Sequence, residues 1–223
     1  MLIQAASAAV GQVLSPPFRS VLWKSLGLTV AMLVALWFVL ELSVSAFIGP
    51  GTLTTALGWL LGAGIVVGAP FLIAPVSSVF AGIFLDDVAE AVERRHYGAH
   101  AVGRALPLAR SIVIAVRFLG LVIVANLVAL VLFFALGLGV IVFFVANGYL
   151  LGREYFQFAA LRHVDTETAD AMRARHATTI FLAGLMIAGV LSIPLVNLLT
   201  PLFAAALMVH VFKRANGATA LAA

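Results

Sequence analysis

The 223-residue sequence holds no cysteine, which removes disulfides, thiolate metal sites and cysteine nucleophiles together. Charge is scarce as well. Asp, Glu, Lys and Arg make up 10% of the chain, against about 25% in ordinary water-soluble proteins. Apolar residues reach 64% and the mean hydropathy is +1.17, so the missing charge reports faces that touch hydrocarbon, and no soluble domain has room. Also absent are a His-Glu-x-x-His pair, a phosphate-binding loop ending in Gly-Lys-Ser or Gly-Lys-Thr, and a Gly-x-Ser-x-Gly elbow. Enzyme chemistry therefore has no visible constellation, and no cofactor or metal is implied. Without an ATP site, any transport is passive, ion-coupled or driven by a partner. The five histidines are dispersed; only His96 and His100 lie four apart, and they read as a surface pair beside a charged helix end.

The first 14 residues lack the basic start and compact apolar centre of a secretory signal, and read as an amphipathic or interfacial lead-in. The alanine-rich tail from 215 to 223 reads as frayed.

What is present is a long apolar chain cut by charge into three blocks, residues 25–85, 118–152 and 177–209. A full helical crossing takes about 20 residues. The first block holds two, with the turn signal Gly49-Pro50-Gly51-Thr52 between them. The other two are short for two crossings and long for one, and each breaks near its centre, at Gly137-Leu138-Gly139 and at Ser192-Ile193-Pro194 with Asn197. The pattern predicts an all-α integral membrane protein forming one membrane domain over 1–223. Its parts are two long transmembrane helices (15–48 and 53–93), tilted or kinked at Pro70 and Pro75, and two short half-penetrating helical hairpins (105–160 and 177–213) flanking a short cytoplasmic segment at 165–176.

All 13 Lys and Arg fall at 19–24, 94–117, 153–175 and 213–214, on one inferred side, and the opposite turns carry none. The positive-inside rule then puts both termini in the cytoplasm. It also accounts for the net charge of +4 without a nucleic-acid partner.

Several residues are candidates for handling an anion. Ser15-Pro16-Pro17-Phe18-Arg19-Ser20 reads as a helix start, where free amides and the Arg19 guanidinium could grip a tetrahedral oxyanion, or where Arg19 simply anchors the helix to lipid phosphate. Glu41 lies inside a span, as a buried functional carboxylate or, 22 residues from Arg19 and so about 33 Å away, as an interfacial one. Asp86, Glu90 and Arg94 recur every four residues, with Ala89 and Glu93 beside them, as a solvated salt-bridge ladder. The alternative is a vestibule in which Arg94, Arg95, Arg104, Arg110 and Arg117 attract anions while Glu90 tunes the field. Gly58/Gly62 and Gly64/Gly68 are small-residue pairs suited to close helix packing. Asn126, Asn147 and Asn197 are amides suited to interhelical hydrogen bonds, and Asn197, at a hairpin break, is one a permeating ion could meet.

Four stretches give the chain a likeness to a known family: Pro17-Phe18-Arg19, Ala69-Pro70-Phe71 through Ala74-Pro75, Gly148-Tyr149-Leu150-Leu151-Gly152-Arg153-Glu154-Tyr155, and Ile193-Pro194-Leu195-Val196-Asn197-Leu198-Leu199-Thr200-Pro201. In these, and in its order of long helices and hairpins from about residue 10 to 214, the chain resembles the CysZ-type sulfate permeases and their wider membrane family. The resemblance implies an oligomeric protein of the bacterial inner membrane that takes up sulfate for cysteine biosynthesis. It also implies a sulfate site at the turn before the first long helix, here Phe18, Arg19 and Ser20. Where the family has a Gly-Leu-Arg-Arg type turn, only the first arginine carries over. Some relatives are proposed to assemble with subunits in opposite orientation, against which the one-sided charge here argues. The expected partners are sulfate or a similar oxyanion, membrane lipids and further copies of the chain. The rival class is a structural or regulatory membrane protein that binds a partner through 86–117 or 153–176.

Overall fold

The computed structural model describes residues 2–13, 15–49, 51–65, 84–98, 102–107, 139–193 and 196–217. Outside the described residues lie Pro70, Pro75, Gly68, His100, Arg110, Arg117, Asn126, the first arm of the first hairpin and Pro194. All regular structure among the described residues is helical.

Helix α1 (Leu2–Val13) is the lead-in, and it docks: Ala5, Ala6, Ala9, Gln12 and Val13 line one buried face. Helix α2 (Pro16–Ile48) has 33 residues, about 50 Å at helical rise, well beyond a ~30 Å hydrocarbon core. It starts at two prolines, whose missing N–H groups cost nothing in a first turn. It ends where Gly49 takes φ +78°, a left-handed conformation that glycine enters freely. Helix α3 (Thr52–Ile65) follows. Only 6% of the most apolar window of α2 is buried, so Leu28, Phe38, Leu42 and Phe47 point away from the protein. Such a surface is stable only against lipid or another protein.

Helix α4 (Leu85–Tyr97) is charged, with Asp86 and Asp87 in its first turn and Arg94, Arg95 and His96 in its last, the arrangement that complements a helix dipole. Helix α5 is described over Gly139–Leu161, and Gly137 and Leu138 of the expected break lie outside the described residues. Helix α6 (Thr166–Arg175) is capped by Asp165, whose carboxylate accepts the Thr168 N–H at 2.8 Å. That main-chain bond to Thr168 holds the Asp165 carboxyl below its ordinary value. Helix α7 (Ala177–Leu191) leaves α6 at 87°. A short 3-10 turn (Val196–Leu199) then leads into α8 (Thr200–Ala215).

The core is built on α8. Apolar on all sides, it is buried from Thr200 to Lys213 and packs against α1, α4, α5 and α7. Among the described residues two segments are long and apolar enough to cross a membrane, Pro16–Ile48 and Val196–Ala215. The second is the closing arm of the hairpin expected over 177–213, and the 3-10 turn lengthens it at its start. By contrast, α7 with 15 residues reaches only about 22 Å.

Helices α5 and α7 cross closely. A Cβ on Gly184 would lie 1.9 Å from the Gly148 carbonyl oxygen and 2.8 Å from the Gly152 nitrogen, and one on Gly152 would lie 2.6 Å from the Ile180 carbonyl oxygen. The small-residue pairs expected to pack, Gly58/Gly62 and Gly64, are looser. Gly62 faces the Trp37 ring at 3.6 Å, and Gly58 and Gly64 face open space.

Candidate anion site

The start of α2 meets α4 and the end of α1 around a cleft of about 560 Å³, lined by Gln12, Ser15, Pro17 and Phe18 on one side and Asp87, Glu90, Ala91, Arg94 and Arg95 on the other. Phe18 is buried and fixes the wall, while Arg19 and Ser20 beside it are exposed. Four main-chain donors here are already spent or missing. The Ser15 N–H donates to Gln12 at 2.8 Å, and Pro16 and Pro17 have none. The Arg19 N–H closes the helical bond to Ser15 at 2.9 Å. Guanidinium and hydroxyl groups must therefore supply most of an oxyanion's hydrogen bonds.

Arg94 holds Glu90 at 2.7 Å, with both side chains about half exposed. An exposed helical pair of this kind contributes about 0.3–0.5 kcal/mol and is readily exchanged for another anion. Gln12 is 3% exposed, and its Oε1 lacks a hydrogen-bond partner. An unmet buried carbonyl acceptor costs about 1–3 kcal/mol, which favours a hydrogen-bond donor such as water beside it rather than the oxyanion itself.

A second set of charges, on the opposite face of α4, is buried. Glu93 is the hub: His163 Nε2 lies 2.6 Å from one carboxylate oxygen, and the Gly103 N–H donates to the other at 2.9 Å. Arg162 Nη2 lies at 3.2 Å and Lys213 Nζ at 3.7 Å. Arg162 also grips Asp86. The His163 ring stacks on Phe212 with centroids 5.1 Å apart. Burial alone would push the Glu93 carboxyl up, but His163, Gly103 and Arg162 together hold it below its ordinary value. For Asp86 burial prevails over Arg162, and its carboxyl is raised. This cluster ties α4, the segment at 103, the end of α5 and the end of α8 into one unit.

The solvated ladder expected on α4 is thus divided. Glu90 and Arg94 form it, whereas Ala89 and Glu93 are 0% exposed and Asp86 turns to Arg162. His96 faces His210, with ring centroids 5.0 Å apart, and burial with the charge of Arg95 lowers its pKa. Tyr97 donates to or accepts from His210 Nδ1 at 2.8 Å. Two of the candidate amides turn out local. Asn147 donates to the Phe143 carbonyl of its own helix at 2.9 Å, and Asn197 accepts from Thr200 at 3.3 Å. A helical asparagine always has the carbonyl four residues back within reach, so no second helix is needed. Glu41 is exposed near the far end of α2, and Arg104, also exposed, gives its main-chain N–H to the Arg162 carbonyl at 2.9 Å. Among the described residues no set of three or more His, Asp or Glu gathers as a metal site.

The protein family described as EI24, sulfate transporter CysZ/Etoposide-induced protein 2.4, matches residues 5–201, from α1 into the start of α8. The chain belongs to this family. No curated protein matches the sequence. The match spans the α2 start, the α5 glycines and four of the five side chains of the buried cluster; Lys213 lies beyond it.

Proposed function

We propose that this protein carries sulfate, or a closely similar oxyanion, across the bacterial inner membrane as a channel or permease, not as an enzyme, and so supplies sulfate for cysteine biosynthesis. Family membership supports the transport reading, and one observation carries the site: the α2 start and the guanidinium groups of Arg94 and Arg95 border a single cleft. In this reading Arg19 and Ser20, with Phe18 as the wall, receive the dianion at the mouth of α2. Exchange of Glu90 for substrate then frees Arg94 to hold it. A cleft of that volume lets sulfate keep much of its hydration, which suits an ion that is costly to strip.

Arg104, Arg110, Arg117, Asn126 and Asn197 are the proposed field and pore residues. Both termini face the cytoplasm, and further copies of the chain or lipid cover α2. Arg19→Ala is expected to weaken sulfate binding to the purified protein about tenfold, the loss of one charge-assisted contact, while the thermal midpoint stays put. Titration calorimetry reads this directly; an unchanged affinity removes Arg19 from the site.

A further inference from the structure

A second cavity, of about 510 Å³, opens where α6 turns at 87° into α7 against the flank of α5. Its walls carry Arg153, Arg173, Tyr149, Thr178 and Phe181, and among the described residues no carboxylate lines it. The α2 cleft differs, since there Asp87 and Glu90 balance Arg94 and Arg95. Arg173 spends one contact on the half-exposed Asp170 at 2.9 Å, and its buried Nε has no partner. Arg153 is exposed. Two guanidinium groups with donors to spare, and no acid between them, form a receptor for a phosphate-type oxyanion.

The surroundings decide which kind. Ile141, Val145 and Tyr149 are all more than half exposed and stand four residues apart on α5, in line with Arg153. From Ile141 to Arg153 this stripe runs about 18 Å, one leaflet of a ~30 Å core. Tyr149 sits between the apolar stripe and the charge, the usual level of an interfacial aromatic. A free ion has no use for such a stripe, whereas an acyl chain does.

We propose that the α5–α6–α7 elbow is a binding site for an anionic phospholipid, its phosphodiester held by Arg153 and Arg173 and one acyl chain lying along Ile141, Val145 and Tyr149. Held there, the lipid pins the α6–α7 bend at the level of the headgroups. The site is separate from the α2 cleft and does not depend on the transport reading.

The test uses the full-length protein in neutral detergent and reads its thermal midpoint with dioleoyl-phosphatidylglycerol, dioleoyl-phosphatidylcholine, or sodium sulfate with glycerol 3-phosphate. Phosphatidylglycerol should raise the midpoint by about 5 °C, and the other additions by much less. Arg153→Gln with Arg173→Gln should abolish that rise and retain about tenfold less phosphatidylglycerol by native mass spectrometry, with an unchanged lipid-free midpoint. Lys24→Gln with Arg175→Gln removes the same charge from the same basic flank and should keep the rise. An equal rise with the soluble anions overturns the lipid assignment, and a rise that survives in the Arg153/Arg173 variant overturns the site.

Discussion

Replacing Glu93 with glutamine is expected to destabilise the protein by about 3–5 kcal/mol, the range for removing one partner of a buried ion cluster. The cost lies in what is left behind. Arg162 is 4% exposed and Lys213 equally so, and without the Glu93 carboxylate both buried cations lose the anion they share. The amide keeps the shape and can still accept from Gly103, so the loss reports charge rather than packing. The pH dependence gives an independent check. Because the native carboxyl sits below its ordinary value of 4.5, the unfolded chain takes up the proton first on acidification. The stabilisation is therefore complete above about pH 4.5 and is lost as the pH falls through the lower native value. Thermal midpoints in detergent between pH 7 and 3 should show the wild type losing stability at the acid end and the Glu93→Gln variant losing less. Parallel curves would mean that Glu93 is not the hub.

Gly184→Ala is the second large effect, and its origin is steric. The new methyl would sit 1.9 Å from the Gly148 carbonyl oxygen, a backbone atom that no rotamer change can move. The α5–α7 crossing would have to separate, at a cost of about 3 kcal/mol or more. Gly189→Ala on the same helix meets nothing within 4 Å and should be neutral or gain up to about 1 kcal/mol from helix propensity. The pair of variants, compared by size-exclusion profile and thermal midpoint, separates a clash from a general intolerance of alanine in α7. If Gly184→Ala melts with the wild type, the crossing is not as close as described.

Much of this architecture was legible because bilayers impose coarse rules. Charge-free runs marked the apolar segments, and Gly49 marked the end of α2. The docking of α1 was not legible, since Ala5, Ala6 and Ala9 are too small to raise a strong apolar signal and bury only because α8 offers a surface. The glycine crossing could be seen as a Gly148-x-x-x-Gly152 spacing, but its partner Gly184 lies 32 positions further on and no local pattern connects them. The cluster around Glu93 did leave a trace. Val88, Ala89 and Val92 define the apolar face of α4, and Glu93, four residues after Ala89, shares it. A carboxylate on a buried face calls for cations from elsewhere, and Arg162, His163 and Lys213 close the apolar runs that supply them. Arg19 marks the α2 start in the sequence, whereas the unmet Gln12 Oε1 depends on α1 turning back onto that cleft.

Labelled sulfate flux into liposomes holding the purified protein is the decisive test of transport. Saturable uptake above that of empty liposomes is expected. Flux no greater than in empty liposomes would contradict it and favour a membrane protein that acts by binding a partner.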